Sequence, residues 1–218
     1  MVVVEAKQCR TTASTSFRID HAPECDQITE LIPHLYICGA SSLTLDNITK
    51  YDISLIINAT TEVPTTRSLG SVPRIKLWLD DTPSTNIYQY FDLISDQIET
   101  IIASGGNVLV HCVAGISRSA SICLAFLTKF RCKSLRQAYQ LMNQKRPLVR
   151  PNVGFWRQLI IFEHEIKNGV ASVKFIRSRE DPETILPDVY LPTSIHSRSK
   201  DKLKFQPMLE TVPEITEA

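Results

Sequence analysis

The sequence predicts an α/β domain with a sheet covered on both faces, and three observations carry that prediction. Short apolar runs alternate with helical patterns through the middle of the chain, helical patterns accumulate after residue 117, and the composition supports a buried core. The chain has 218 residues, 43% of them hydrophobic, with 24 Lys+Arg against 23 Asp+Glu. That length suits one domain plus tails. A formal net charge of +1 creates no field able to hold a nucleic-acid backbone or an anionic membrane non-specifically, so neither is expected as a partner.

Taken in order, residues 1–26 are polar and rich in Ser and Thr, and read as a flexible leader. The domain is expected from about Gln27 to residue 170. ITELI and HLYIC form two short strands around Pro33, followed by a helix capped at Ser41 or Ser42 and running to about Lys50. SLIINAT at 54–60 is a buried strand, residues 61–72 loop, RIKLWL holds a further strand, and DDTPSTN at 80–86 is a second loop. Phe91, Ile94, Ile98 and Ile101/Ile102 recur at helical spacing up to the Gly105-Gly106 stop. NVLV at 107–110 is the next strand. Three helices follow, over SICLAFLTKF, SLRQAYQLMNQKR and NVGFWRQLIIFEHEIK, the second ended by Pro147 and the third by Asn168-Gly169. Residues 171–218 are expected to be a mostly irregular, loosely docked extension, because five prolines fall from position 182 onward.

The longest stretch without a formal charge, Thr100 to Ser117, contains Gly105, Gly106, Asn107 and His111 and is a poor membrane span. MVVVEAKQCR lacks a signal-peptide core, and position 2 is not glycine. A reducing, cytoplasmic compartment is expected, with the nucleus as a further location. The six cysteines, Cys9, Cys25, Cys38, Cys112, Cys123 and Cys132, make neither a disulfide framework nor a C-x-x-C zinc pair, and are expected to be free thiols.

The informative segment is His111-Cys112-Val113-Ala114-Gly115-Ile116-Ser117-Arg118-Ser119, between an apolar strand and a helix start. Unpaired N–H groups and the positive end of the helix dipole make such a loop a phosphate site, and Gly115 lets the backbone curl around the ligand. The same field favours the thiolate of Cys112, a nucleophile at neutral pH. Arg118 adds a planar fork for two phosphate oxygens. A buried, inert thiol is the commonest fate of a cysteine after an apolar strand. The full pattern, with His before the Cys, Gly three after it and Ser after the Arg, is expected by chance on the order of 10⁻⁴ times or less in this composition, which favours the chemical reading.

His-Cys-x5-Arg-Ser resembles the signature of the cysteine-dependent protein phosphatases. HCVAGISRSAS, RPLVRPNVGFWRQLI at 146–160 and LPDVY at 186–190 are similar to the small atypical dual-specificity branch, over about residues 27–190. The resemblance implies a central mixed sheet of about five strands flanked by helices, with no metal and no organic cofactor. It makes Cys112 the nucleophile and Arg118 the transition-state clamp, with the backbone of Val113, Ala114, Gly115, Ile116, Ser117 and Arg118 binding the phosphoryl oxygens. Ser119 would stabilise the departing thiolate, and His111 and Asn152 would brace the loop. The proton donor would be an Asp ahead of the signature: DDTPSTN offers Asp80 and Asp81, and Asp81-Thr82-Pro83 is the better match. Either aspartate also reads as a solvated turn residue, and Phe155 and Trp156 as core.

The resemblance implies hydrolysis of phosphotyrosine and phosphoserine/threonine in proteins, by a monomer, through a phosphocysteine intermediate; mitogen-activated protein kinases are a family-level expectation for substrate. A phosphoinositide or RNA 5′-phosphatase is the rival enzyme, disfavoured by the absence of charge between Cys112 and Arg118. A non-catalytic phosphoprotein-binding module is the rival of another class, disfavoured because Cys112, Arg118 and an Asp are all retained. Arg198, Lys200, Lys202 and Lys204 are offset by Asp201 and Glu210 and read as a solvated tail rather than a nuclear signal.

Overall fold

The computed structural model describes residues 27–65, 67–169, 171–178, 184–191 and 205–207. The leader at 1–26, Cys9, Cys25 and the basic cluster at 198–204 lie outside them. The elements are β1 (Thr29–Ile32), β2 (Leu35–Cys38), α1 (Leu45–Lys50), β3 (Ile53–Asn58), β4 (Arg74–Lys76), α2 (Tyr88–Ala103), β5 (Asn107–His111), α3 (Arg118–Phe130), α4 (Leu135–Lys145), α5 (Val153–Lys167), β6 (Phe175–Ser178), β7 (Ile185–Pro187) and β8 (Phe205–Pro207).

The main sheet is five-stranded and mixed, in the order β1-β2-β5-β3-β4. Only the β1–β2 pair is antiparallel; β2, β5, β3 and β4 run parallel, so their C-terminal ends open on one edge. Alternation along the strands sorts side chains between two layers. Leu35, Ile37, Leu55, Ile57, Val108 and Val110 meet α2, α3, α4 and α5, whereas Tyr36, Cys38, Ile56 and Leu109 meet Ile48 of α1 and Leu69. Helix α3 is buried from Arg118 to Thr128. It packs against α2, α4 and α5 as the central helix of its layer, which is why the run Ile122 to Leu127 is apolar on every side.

Three sequence expectations shift. The helix after β2 does not open at Ser41 or Ser42: these close a short 3-10 turn at 40–42, and Thr44 caps α1 by accepting from the Asn47 N–H at 3.2 Å. In RIKLWL only Arg74–Lys76 joins the ladder; Leu77 and Leu79 stay buried while Trp78 turns outward. The extension is not loosely docked over residues 184–191. β6 pairs with β7 and β8 in a small antiparallel sheet, Arg136 meets Asp188 at 2.6 Å, and the Trp156 indole N–H donates to the Tyr190 hydroxyl at 2.6 Å. Proline density tracks irregular backbone, but docking here comes from a salt bridge and an aromatic contact, which carry no periodic signal.

Candidate active site

Residues 112–117 leave the C-terminal end of β5 and enter α3, at the sheet edge where open α/β folds place their ligands. The loop is held from outside through its carbonyls. The Cys112 carbonyl lies 3.4 Å from His111 Nδ1, and the Val113 carbonyl accepts from the Ala40 N–H at 2.8 Å. Buried Arg146 takes the next two, Ala114 through Nη2 at 3.3 Å and Gly115 through Nε at 2.9 Å, while Nη1 reaches Thr29 and the Gln27 carbonyl. The Arg150 N–H donates to the Ile116 carbonyl at 2.9 Å. In a trans peptide the following N–H points opposite to the carbonyl. With every carbonyl from Cys112 to Ile116 turned outward, the amides of Val113 through Ser117 turn toward the loop centre, a concave anion cradle.

Gly115 makes the curl possible at φ +70°, and a Cβ there would lie 2.6 Å from the Cys38 carbonyl carbon. Both conditions exclude a side chain. The Cys112 sulfur sits in the cradle, accepting from the Gly115 N–H at 3.2 Å and the Ser119 hydroxyl at 3.1 Å. Burial pushes the neighbouring Cys38 thiol up to about 12 and pushes that of Cys123 up as well.

Arg118 is 4% exposed, and its Nη1 donates to Glu62 at 2.6 Å and to the Leu79 carbonyl at 3.0 Å. Its buried Nε has no hydrogen-bond partner among the described residues and lies 3.7 Å from Asp81 Oδ2. The hydrogen bond from Arg118 holds the Glu62 carboxyl below its usual range.

Asp81 is brought to this loop by its Oδ1, which accepts from Ser117 Oγ at 2.7 Å and Asn152 Nδ2 at 2.9 Å. Asn152 caps α5 with its own Oδ1, bonded to the Phe155 N–H at 3.0 Å. Its side chain thus joins the helix start to the acid loop. A Cβ on Gly154 would stand 1.9 Å from the Pro83 carbonyl oxygen, so a glycine is required for the loop to rest on α5. Ser117, although at the cap of α3, makes no capping bond with its side chain, which is spent on Asp81. Asp80 turns elsewhere, accepting from Thr61 Oγ1 at 2.6 Å.

The structure therefore gathers Cys112, the loop amides, Arg118, Ser119, Asp81 and Asn152, and leaves Asp80 apart. His111 lies beneath the loop beside a cavity of about 270 Å³ on the α1 face, where burial lowers its imidazole to about 4. Phe155 and Trp156 are fully buried core residues. Sequence reasoning missed Glu62 and Arg146. Glu62 follows β3 on the edge where parallel strands place functional groups, a signal that was available; Arg146 gives no local sign of inward burial.

The family model of the dual specificity phosphatase catalytic domain matches residues 35–165. Mouse dual specificity protein phosphatase 14 is 42% identical over 144 residues, covering 66% of this chain and 70% of the relative. Human dual specificity protein phosphatase 18 is 32% identical over 184 residues, covering 83% and 94%. A solved mouse putative dual specificity phosphatase, complexed with zinc tungstate, superimposes with a TM-score of 0.62 at 28% identity, covering 71% of this chain and 96% of its own. An anion cradle around a cysteine, an arginine clamp and a carboxyl beside them agree with these likenesses, and the chain belongs to the dual specificity phosphatase family as a protein phosphatase.

Proposed function

We propose that Cys112, Arg118, Asp81 and Ser119 carry the hydrolysis of phosphotyrosine and phosphoserine/threonine in proteins. The Cys112 thiolate attacks phosphorus in line with the leaving oxygen. Amides of Val113 to Arg118, with Arg118 itself, stabilise the equatorial oxygens, and the acid form of Asp81 gives its proton to the departing oxygen. Asp81, now a carboxylate, then takes a proton from water as that water attacks the phosphocysteine. The sulfur leaves as thiolate, received by the Ser119 hydroxyl. The outward turn of the carbonyls from Cys112 to Ile116 is the observation that carries this reading, since it leaves the amides to surround an oxyanion. The tungstate of the solved mouse relative, a tetrahedral oxyanion, supports it.

Phosphorylated mitogen-activated protein kinases as substrates, a monomeric state and a reducing cytoplasmic or nuclear compartment belong to the same proposal; the four described cysteines, all free thiols, support the last. The test is to quench a single turnover in acid and weigh the protein. Wild type should carry one phosphoryl group on Cys112. Cys112→Ser and Arg118→Ala should each lose at least about 10³ of activity. A Cys112→Ser variant keeping more than a few per cent of activity overturns the mechanism, and phosphopeptide binding without turnover by wild type would establish a binding module instead.

A further inference from the structure

Two arginines four residues apart do opposite things in this fold. Arg146 is buried and spent on loop carbonyls. Arg150 bonds the same loop only through its backbone N–H, and its exposed guanidinium lies over the Tyr190 ring at 4.6 Å. Arg150 lines a groove of about 1350 Å³ between α4, residues 147–150 and the docked segment around Tyr190.

The groove lining is unlike the chain as a whole, which is nearly neutral. Its charged residues are Arg136, Arg150 and Lys174 against Asp188 alone. Asp188 is already neutralised by Arg136 at 2.6 Å. Among the described residues neither Arg150 nor Lys174 lies within ion-pair distance of a carboxylate. The groove lining is also bonded to the segment that braces the loop at 112–117: Tyr190 donates to the Pro151 carbonyl at 3.1 Å, the Arg150 N–H donates to the Ile116 carbonyl, and Asn152, two residues on, holds Asp81.

We propose that this groove is a specificity site for acidic side chains flanking the phosphoresidue, with Arg150 and Lys174 reading carboxylates on an extended substrate segment. The proposal rests on the phosphoprotein phosphatase reading above. Charge complementarity selects the occupant, because a neutral or basic flank would leave both cations unpaired and a carboxylate would meet each. Flanking residues of an extended substrate advance along the surface by about 3.3 Å each. Tyr190 stiffens Arg150 by lying under its guanidinium, which reduces the ordering cost of the pair.

The test compares kcat/KM for two phosphotyrosine peptides of equal length, one with glutamates and one with glutamines at the flanking positions, on each side of the phosphoresidue in separate pairs. Wild type should prefer the acidic peptide by about five- to tenfold at low salt on one side, and lose most of that preference at high salt. Arg150→Gln and Lys174→Gln should each reduce the preference by about two- to threefold, the double variant should abolish it, and Arg150→Lys should restore part of it. Preserved preference in the double variant, or no preference in wild type, overturns the groove. So does preference for a peptide carrying a second phosphate without preference for glutamate. Failure of wild type to turn over either peptide or a small aryl phosphate would instead overturn the underlying phosphatase reading.

Discussion

The loop proposed to carry the nucleophile and the loop proposed to carry the acid are held by different means. Residues 112–118 are mostly buried, and each carbonyl from Cys112 to Ile116 is bonded by His111, Ala40, Arg146 or Arg150. Residues 80–84 are exposed. Asp81 is placed by two side-chain bonds, and Gln158 anchors the loop's end through the N–H groups of Ile87 and Tyr88. The difference fits the work proposed for each loop. Stabilising a pentacoordinate phosphorus needs several amides at once, each aimed within tenths of an ångström, so the backbone must be over-determined. Donating one proton needs one carboxyl at the right place, and a side-chain tether suffices.

The largest effect should come from breaking the over-determined loop. Gly115→Ala places a methyl against the Cys38 carbonyl in a left-handed conformation, which costs about 1–2 kcal/mol before the collision is counted. Activity toward an aryl phosphate and a phosphopeptide should fall together by about 10³, because several amides are misaimed at once. Equal activity of the variant and wild type would show that the cradle is not the phosphate site.

The tethered loop should respond to leaving group. Asp81→Asn should slow phosphothreonine peptide hydrolysis by about 10² or more and the activated aryl phosphate by less, with a flattened alkaline limb of the pH profile. Asp80→Asn should do little, since Asp80 bonds Thr61 and not the catalytic loop. If the two variants exchanged behaviour, Asp80 would be the acid and the tether at Asp81 only structural.

The smallest effect is on stability and concerns the floor of the buried loop. His111 is held to about 4, first by burial and then by the Lys76 charge, against an ordinary value of 6.5. Between those values the unfolded chain binds a proton that the native one does not. Stability should therefore be fully present above about pH 6.5, fall as pH drops toward 4, and lose at most about 3 kcal/mol from this group. Urea melts across that window should show the slope in wild type and a flatter one in His111→Asn. Identical slopes would mean that His111 is reached by water and is no part of the loop's floor.

Most of the fold was legible because period and punctuation are local. Apolar spacing located α2, Gly105-Gly106 closed it, and β5 and α3 framed the catalytic loop correctly. Cys112, Gly115 and Arg118 were legible for a different reason: their spacing in sequence is itself the geometry of the curl, with no distant residue needed to define it. Asp81 could be separated from Asp80 only by resemblance, and its place beside Ser117 and Asn152 depends on α5, about 70 residues away.

Glu62, Arg146 and the docking of Tyr190 belong wholly to the tertiary structure. A buried arginine and an exposed one look the same in RPLVRP, and only packing turns Arg146 inward to the Gly115 carbonyl while leaving Arg150 in the groove. The sequence by itself determined the cysteine, the glycine curl and the arginine of the candidate site, because they lie within seven consecutive residues. Only the fold decided that Glu62, Arg146 and Asn152 hold those groups in place, because such bonds are made across long separations where no residue pattern records the partner.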